Sequence, residues 1–130
     1  VWGDRTRVLG ARGDVQYVLP FENRGVEVGV TLHHPHGQVY AYPFVPPVPA
    51  RMNENERRHF DGNGRTLLSD LLGAELADGS RVLYAGEHAA AFVPAWARYP
   101  YETWVAPRRA VAGFADLDPQ ERRDLALALK

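Results

Sequence analysis

An α+β fold, an antiparallel sheet with flanking helices, is what this sequence predicts. Three observations carry that expectation. Short β-branched and aromatic runs come in groups, helix-forming stretches come between the groups, and no strand–helix–strand alternation suggests a parallel sheet. Val15–Phe21 is the first such run and reads as a strand. Asn23-Arg24-Gly25 is a turn signal, and Val26–Thr31 alternates again, so the two runs are expected to form a hairpin. Val39–Tyr42 continues extended after a histidine-rich segment. Pro43, Pro46, Pro47 and Pro49 then break any ladder, and this cluster reads as a linker.

Ala50–Phe60 is polar and helix-forming, Gly62-Asn63-Gly64 interrupts it, and Arg65–Leu76 resumes with apolar residues at helical spacing. Asp78-Gly79 reads as a turn. Arg81–Gly86, Ala89–Val93 and Glu102–Ala106 read as three strands. Asp118-Pro119-Gln120-Glu121 has an acidic N-cap, a proline in the first turn and a glutamate at the capping-box position, a strong helix start. The helix it opens is expected to run toward Lys130. Because the chain opens on Val1 and closes inside that apolar helical pattern, we expect an internal piece of a longer or split protein.

Composition narrows function by exclusion. The 130 residues carry 15 basic and 16 acidic side chains, so the balance points to neither nucleic acid nor an anionic membrane. There is no cysteine, hence no disulfide and no thiolate metal site in this stretch. No apolar run is long enough to span a bilayer, and no signal peptide is visible. We expect a cytoplasmic protein.

The chemistry concentrates in His33-His34-Pro35-His36-Gly37-Gln38. On an extended segment His34, His36 and Gln38 share one face. Pro35 pushes His34 toward extended geometry, and Gly37 lets a bulky anion approach the backbone. A neutral imidazole, with an ordinary pKa of about 6.5, is a competent nucleophile near neutral pH. Attack by His36 on phosphorus would divide one displacement into two. Gln38 could hold the phosphoryl oxygens by its amide but could not supply a proton, so the leaving group should depart unprotonated, as a sugar phosphate does. Thr31 and Asn23 are close enough in sequence to assist. His33 falls out of phase with its neighbours. His59 and His88 have no pattern around them and read as ordinary surface or core residues. By spacing alone, nucleotidyl chemistry, a metal site at His34 and a purely structural role all stay open.

Longer stretches carry a resemblance. Phe21–Gly25 and Gly29–Ala41, then Glu75–Arg81, Phe92-Val93-Pro94, Tyr99–Thr103 and Asp124–Lys130, resemble in the same order the galactose-1-phosphate uridylyltransferase family. That family lies in the branch of the histidine-triad superfamily whose motif ends in glutamine. The resemblance implies two tandem histidine-triad-like domains, with residues 1–49 the end of a first, catalytic domain and residues 50–130 the start of a second. It implies exchange of UMP between UDP-glucose and galactose 1-phosphate, with His36 as the uridylylated nucleophile and Gln38 binding the transferred phosphoryl group. Thr31 stands where the family commonly has a phosphate-contacting serine, and Asn23 matches an asparagine near the nucleotide phosphates. His34 matches a zinc ligand of some members, whose other ligands would lie upstream of Val1. An iron site of other members finds no clean carboxylate near Met52–Glu54, so iron is not assigned. Val30, Leu32 and His33 depart from the family's frequent Cys, Asn and Pro and leave the reacting residues alone. A homodimer of the full-length protein, or assembly with a companion chain, is implied as well. Two other readings stand beside this one: a different nucleotidyltransferase with the same motif, such as a dinucleoside tetraphosphate phosphorylase, and a catalytically silent fragment that binds a metal or partner.

Overall fold

A computed structural model describes residues 1–28, 34 and 36–130. Backbone contacts divide it into two units, Val1–Ala50 with Gly113–Ala115, and Arg51–Ala112 with Asp116–Lys130.

The first unit opens with a helix that the sequence pattern does not announce, α1 (Trp2–Gly10). Two glycines weaken its propensity and none of its residues is buried. Its support is tertiary. Trp2 stacks on Phe114 with ring centroids 6.1 Å apart, and a Cβ on Gly3 would come within 2.9 Å of the Phe114 carbonyl oxygen. Strand β1 (Tyr17–Glu22) pairs antiparallel with β2 (Gly37–Tyr42), from Tyr17 opposite Tyr42 to Glu22 opposite Gly37. The partner of β1 is thus not the segment expected from the hairpin. Val26–Val28 forms a 3-10 turn after Gly25, whose φ of 97° is open to glycine. The rest of that expected strand, through Thr31, lies outside the described residues.

Alternation gives the ribbon two unlike faces. Tyr17, Leu19 and Phe21 share one with Gln38, Tyr40 and Tyr42. On the other, the Trp2 indole nitrogen sits 3.6 Å from where a Gly37 Cβ would be, so α1 covers that side.

The proline-rich linker is also corrected. Helix α2 spans Pro47–Asn63, with Pro47 and Pro49 in its first turn. Amides there have no carbonyl partner within the helix, so proline costs little. Gly64, at φ 69°, follows its last residue.

In the second unit, α3 (Leu67–Asp78) starts at the Thr66 N-cap and ends at Gly79, φ 74°. Glu56 of α2 accepts hydrogen bonds from the Leu67 and Leu68 amides at 2.8 and 3.0 Å, satisfying two donors that the helix itself cannot. Strands β3 (Val82–Ala85), β4 (Ala89–Phe92) and β5 (Trp104–Pro107) form an antiparallel sheet with β4 in the centre. All four β4 residues are buried. Leu72 of α3 packs with Ala90, Phe92 and Ala106 on one face. Leu125 of α4 (Pro119–Ala128) packs with Ala89 and Leu117 on the other. The alanine run lets elements close in on both faces of a single strand.

Two carboxylates tie α4 to its surroundings. Asp124 accepts from the Tyr84 hydroxyl and from the His88 and Ala89 amides, which holds its carboxyl below the ordinary range. Gly86 leaves room for this, since any Cβ there would collide with the Asp124 carboxylate. Glu121 closes the capping box on Asp118 and takes a bidentate grip from Arg109 at 2.6 and 2.7 Å. That guanidinium, with the Asp118 amide, lowers the Glu121 pKa from 4.5 to about 2. A carboxyl depressed by folding contributes stability above its ordinary pKa and loses it as pH falls toward the folded value. Acid titration from pH 5 to pH 2 is therefore expected to loosen α4, read as rising hydrogen exchange in Leu125–Ala128. Glu121→Gln should flatten that pH dependence, and an unchanged profile in the variant would refute the assignment.

Candidate nucleotidyl-transfer site

His36 lies one residue ahead of β2 and is half-buried. Its Nδ1 is 3.0 Å from the His34 carbonyl oxygen. A carbonyl can only accept, so Nδ1 carries the hydrogen and, in the neutral ring, the lone pair is on Nε2. That contact orients the imidazole and selects the tautomer with its lone pair on Nε2. His34 is exposed and contributes its carbonyl to that arrangement.

Gln38 is half-buried on β2, directly opposite Phe21. Asn23 is exposed just past the end of β1. The last ladder pair is Glu22 with Gly37, so Asn23 and His36 each stand one residue beyond it, at the same end of the ribbon. The structure therefore gathers Asn23, His36 and Gln38 around one strand end. Thr31 lies outside the described residues, as does His33. Chemically, this end of the ribbon carries an imidazole with its hydrogen on Nδ1 and the amide-bearing residues Asn23 and Gln38, residue types that can hold and displace at a phosphoryl centre.

Sequence reasoning passed over two neighbours of the site. Trp2 backs Gly37 from the covered face. Tyr40 follows Gln38 on the open face, a position the two-residue period of the strand could have supplied.

Among the described residues, no three His, Cys, Asp or Glu side chains come together to hold a metal ion. His34 alone is one donor where zinc takes three or four, so these residues by themselves do not fit the group. His59 has a definite place in the second unit. Its Nε2 is 2.7 Å from Asp70 Oδ2, and Arg65 reaches the other oxygen of that carboxylate at 2.5 Å. The His59 hydrogen bond leads in pulling the Asp70 pKa down, and the bond ties α2 to α3. The His88 backbone amide serves Asp124. Among the described residues no helix is long and apolar enough to cross a membrane.

Residues 1–46 match the model of the galactose-1-phosphate uridyl transferase N-terminal domain, and residues 52–130 match that of the C-terminal domain. The chain belongs to the galactose-1-phosphate uridyl transferase family. Relatives in this family include a galactose-1-phosphate uridylyltransferase of Streptomyces lividans, 46% identical over 123 residues, which cover 95% of this chain and 35% of the relative. The Thermotoga maritima protein of the same name is 38% identical over 130 residues, 100% of this chain and 40% of its own length. A solved uridylyltransferase structure superposes with a TM-score of 0.90 at 31% identity, covering 98% of this chain and 40% of that one. An ADP-glucose phosphorylase from Arabidopsis thaliana, solved with bound ADP-glucose, gives a TM-score of 0.81 at 26% identity, with 98% of this chain and 40% of that one covered. The chain thus spans about two-fifths or less of these family proteins. This chain's α+β architecture, four helices and two small antiparallel sheets among the described residues, is the part that superposes on the uridylyltransferase structure.

Proposed function

We propose that this chain is part of a nucleotidyltransferase that exchanges UMP between UDP-glucose and galactose 1-phosphate through a uridylyl-His36 intermediate. The observation that carries the proposal is the Nδ1 contact of His36 with the His34 carbonyl, which leaves Nε2 to attack. Nε2 forms a bond to the α-phosphorus of UDP-glucose as the bond from that phosphorus to the bridging oxygen breaks. Glucose 1-phosphate leaves with the bonding electrons and needs no proton. The imidazole ring gains positive charge when Nε2 bonds to phosphorus, and the His34 carbonyl dipole at Nδ1–H favours that charged state. The amide of Gln38 donates to the transferred phosphoryl oxygens, with Asn23 and Thr31 as further phosphate contacts. A phosphate oxygen of galactose 1-phosphate then attacks the same phosphorus, the P–N bond breaks, and UDP-galactose is released.

In this reading residues 1–49 close the catalytic domain and residues 50–130 open the second one. The full-length protein works in the cytoplasm as a homodimer or with a companion chain, and touches neither nucleic acid nor membrane. A zinc at His34 enters only as a site completed by residues outside this chain, and no step depends on it. The structural likeness to an ADP-glucose phosphorylase keeps an adenine-nucleotide donor as the second reading.

The test is label exchange by the natural gene product that contains this chain. Label in galactose 1-phosphate should appear in UDP-galactose when UDP-glucose is the donor. Preference for ADP-glucose would replace the first reading with the second. The 130-residue chain assayed alone is expected to be inactive.

A further inference from the structure

We propose that Tyr40 is a specificity residue whose ring receives the hexose of the departing sugar phosphate. The inference rests on the uridylyltransferase reading and adds a contact to it. Gln38 and Tyr40 project from the same face of β2, two residues or about 7 Å apart along the strand. His36 stands one residue ahead of β2, at the end of the strand next to Gln38. Nucleophile, phosphoryl-binding amide and aromatic ring therefore succeed one another along the backbone. In a phosphoryl displacement the attacking and leaving groups lie on opposite sides of phosphorus. With His36 attacking from one end of this series, the leaving hexose phosphate departs toward the other end, where Tyr40 stands.

The ring is set for this role. It packs edge-on against Phe21, centroids 4.7 Å apart at 67°, and against Tyr42, 6.0 Å at 90°. Two such contacts restrict its rotation. Yet 47% of the residue is exposed, on the face opposite the one α1 covers. A fixed aromatic surface with an open side suits the apolar C–H face of a pyranose. The uracil ring, attached through ribose to the nucleoside side of the phosphorus, is the other source of such a contact.

Tyr40→Leu and Tyr40→Phe in the natural gene product separate these cases. Each is compared with wild type for exchange from UDP-glucose, for KM of galactose 1-phosphate, and for competitive inhibition by UMP. Tyr40→Leu should raise KM for the sugar phosphate about five- to tenfold, the worth of one aromatic contact, and leave UMP inhibition unchanged. Tyr40→Phe should restore the wild-type KM. Weakened UMP inhibition with unchanged sugar-phosphate KM would assign the ring to the base and overturn the proposal. Unchanged values for both ligands, or equal loss of both that Phe does not rescue, would reduce Tyr40 to packing and also overturn it. Tyr17→Leu, at the far end of the same aromatic row, should leave the KM of galactose 1-phosphate as it is. Failure of the wild-type protein to exchange from any UDP-sugar would sink the underlying reading instead.

Discussion

His36→Asn is expected to lower uridylyl exchange by about four orders of magnitude or more, the usual cost of deleting a covalent nucleophile. Asparagine keeps a side-chain N–H that can reach the His34 carbonyl, so the local backbone is preserved. It has no counterpart of Nε2. UMP binding should then persist while turnover disappears, a separation that a merely misfolded variant would not show. Exchange above about one hundredth of the wild-type rate would take the nucleophile's role away from His36.

Phe92→Ala carries the largest expected cost to the fold. Phe92 is fully buried on the central strand β4, packed with Leu72, Ala90 and Ala106, and its ring lies 6.4 Å from that of Trp104. Removing a buried aromatic ring costs about 3–5 kcal/mol in transfer and cavity terms. Domains have only about 5–15 kcal/mol in hand. The neighbouring alanines have no side chain that could swing in to fill the gap. The urea midpoint of the β3–β5 region, followed by Trp104 fluorescence, should fall sharply with little change in slope. A shift worth less than about 1 kcal/mol would mean that α3 collapses onto the sheet and closes the cavity.

What the sequence made legible divides by how local the cause is. The Asp118–Glu121 capping box is a contact between residues three apart, and it appears in the structure as its letters suggest. The three strands of the second unit follow from short apolar runs between turns, and each appears within a few residues of its expected place. Helix α1 has no such local signal. It depends on Phe114, more than a hundred positions away in the chain. Pro47 and Pro49 misled because proline in a first turn has the same letters as proline in a linker. The partner of β1 was missed because Val26–Val28, which alternates like a strand, turns instead.

For the site, strand phase points His36 and Gln38 to one face, and pairing in the structure puts Asn23 and His36 one residue beyond the same end of the ribbon. The carbonyl on His36 Nδ1 was not legible, since a backbone acceptor two residues back depends on the path between them and not on residue type. The glutamine that ends the motif is the most informative letter, because a residue that cannot supply a proton fits the proposed reaction, whose leaving group needs none.

The central claim is that His36 Nε2 takes up the uridylyl group. The most direct measurement is mass analysis of the natural gene product incubated with UDP-glucose in the absence of acceptor, followed by peptide mapping. The account predicts one added uridylyl group per chain, located on His36 and removed when galactose 1-phosphate is supplied. An adduct on His34 or elsewhere, or exchange without any adduct, would contradict it.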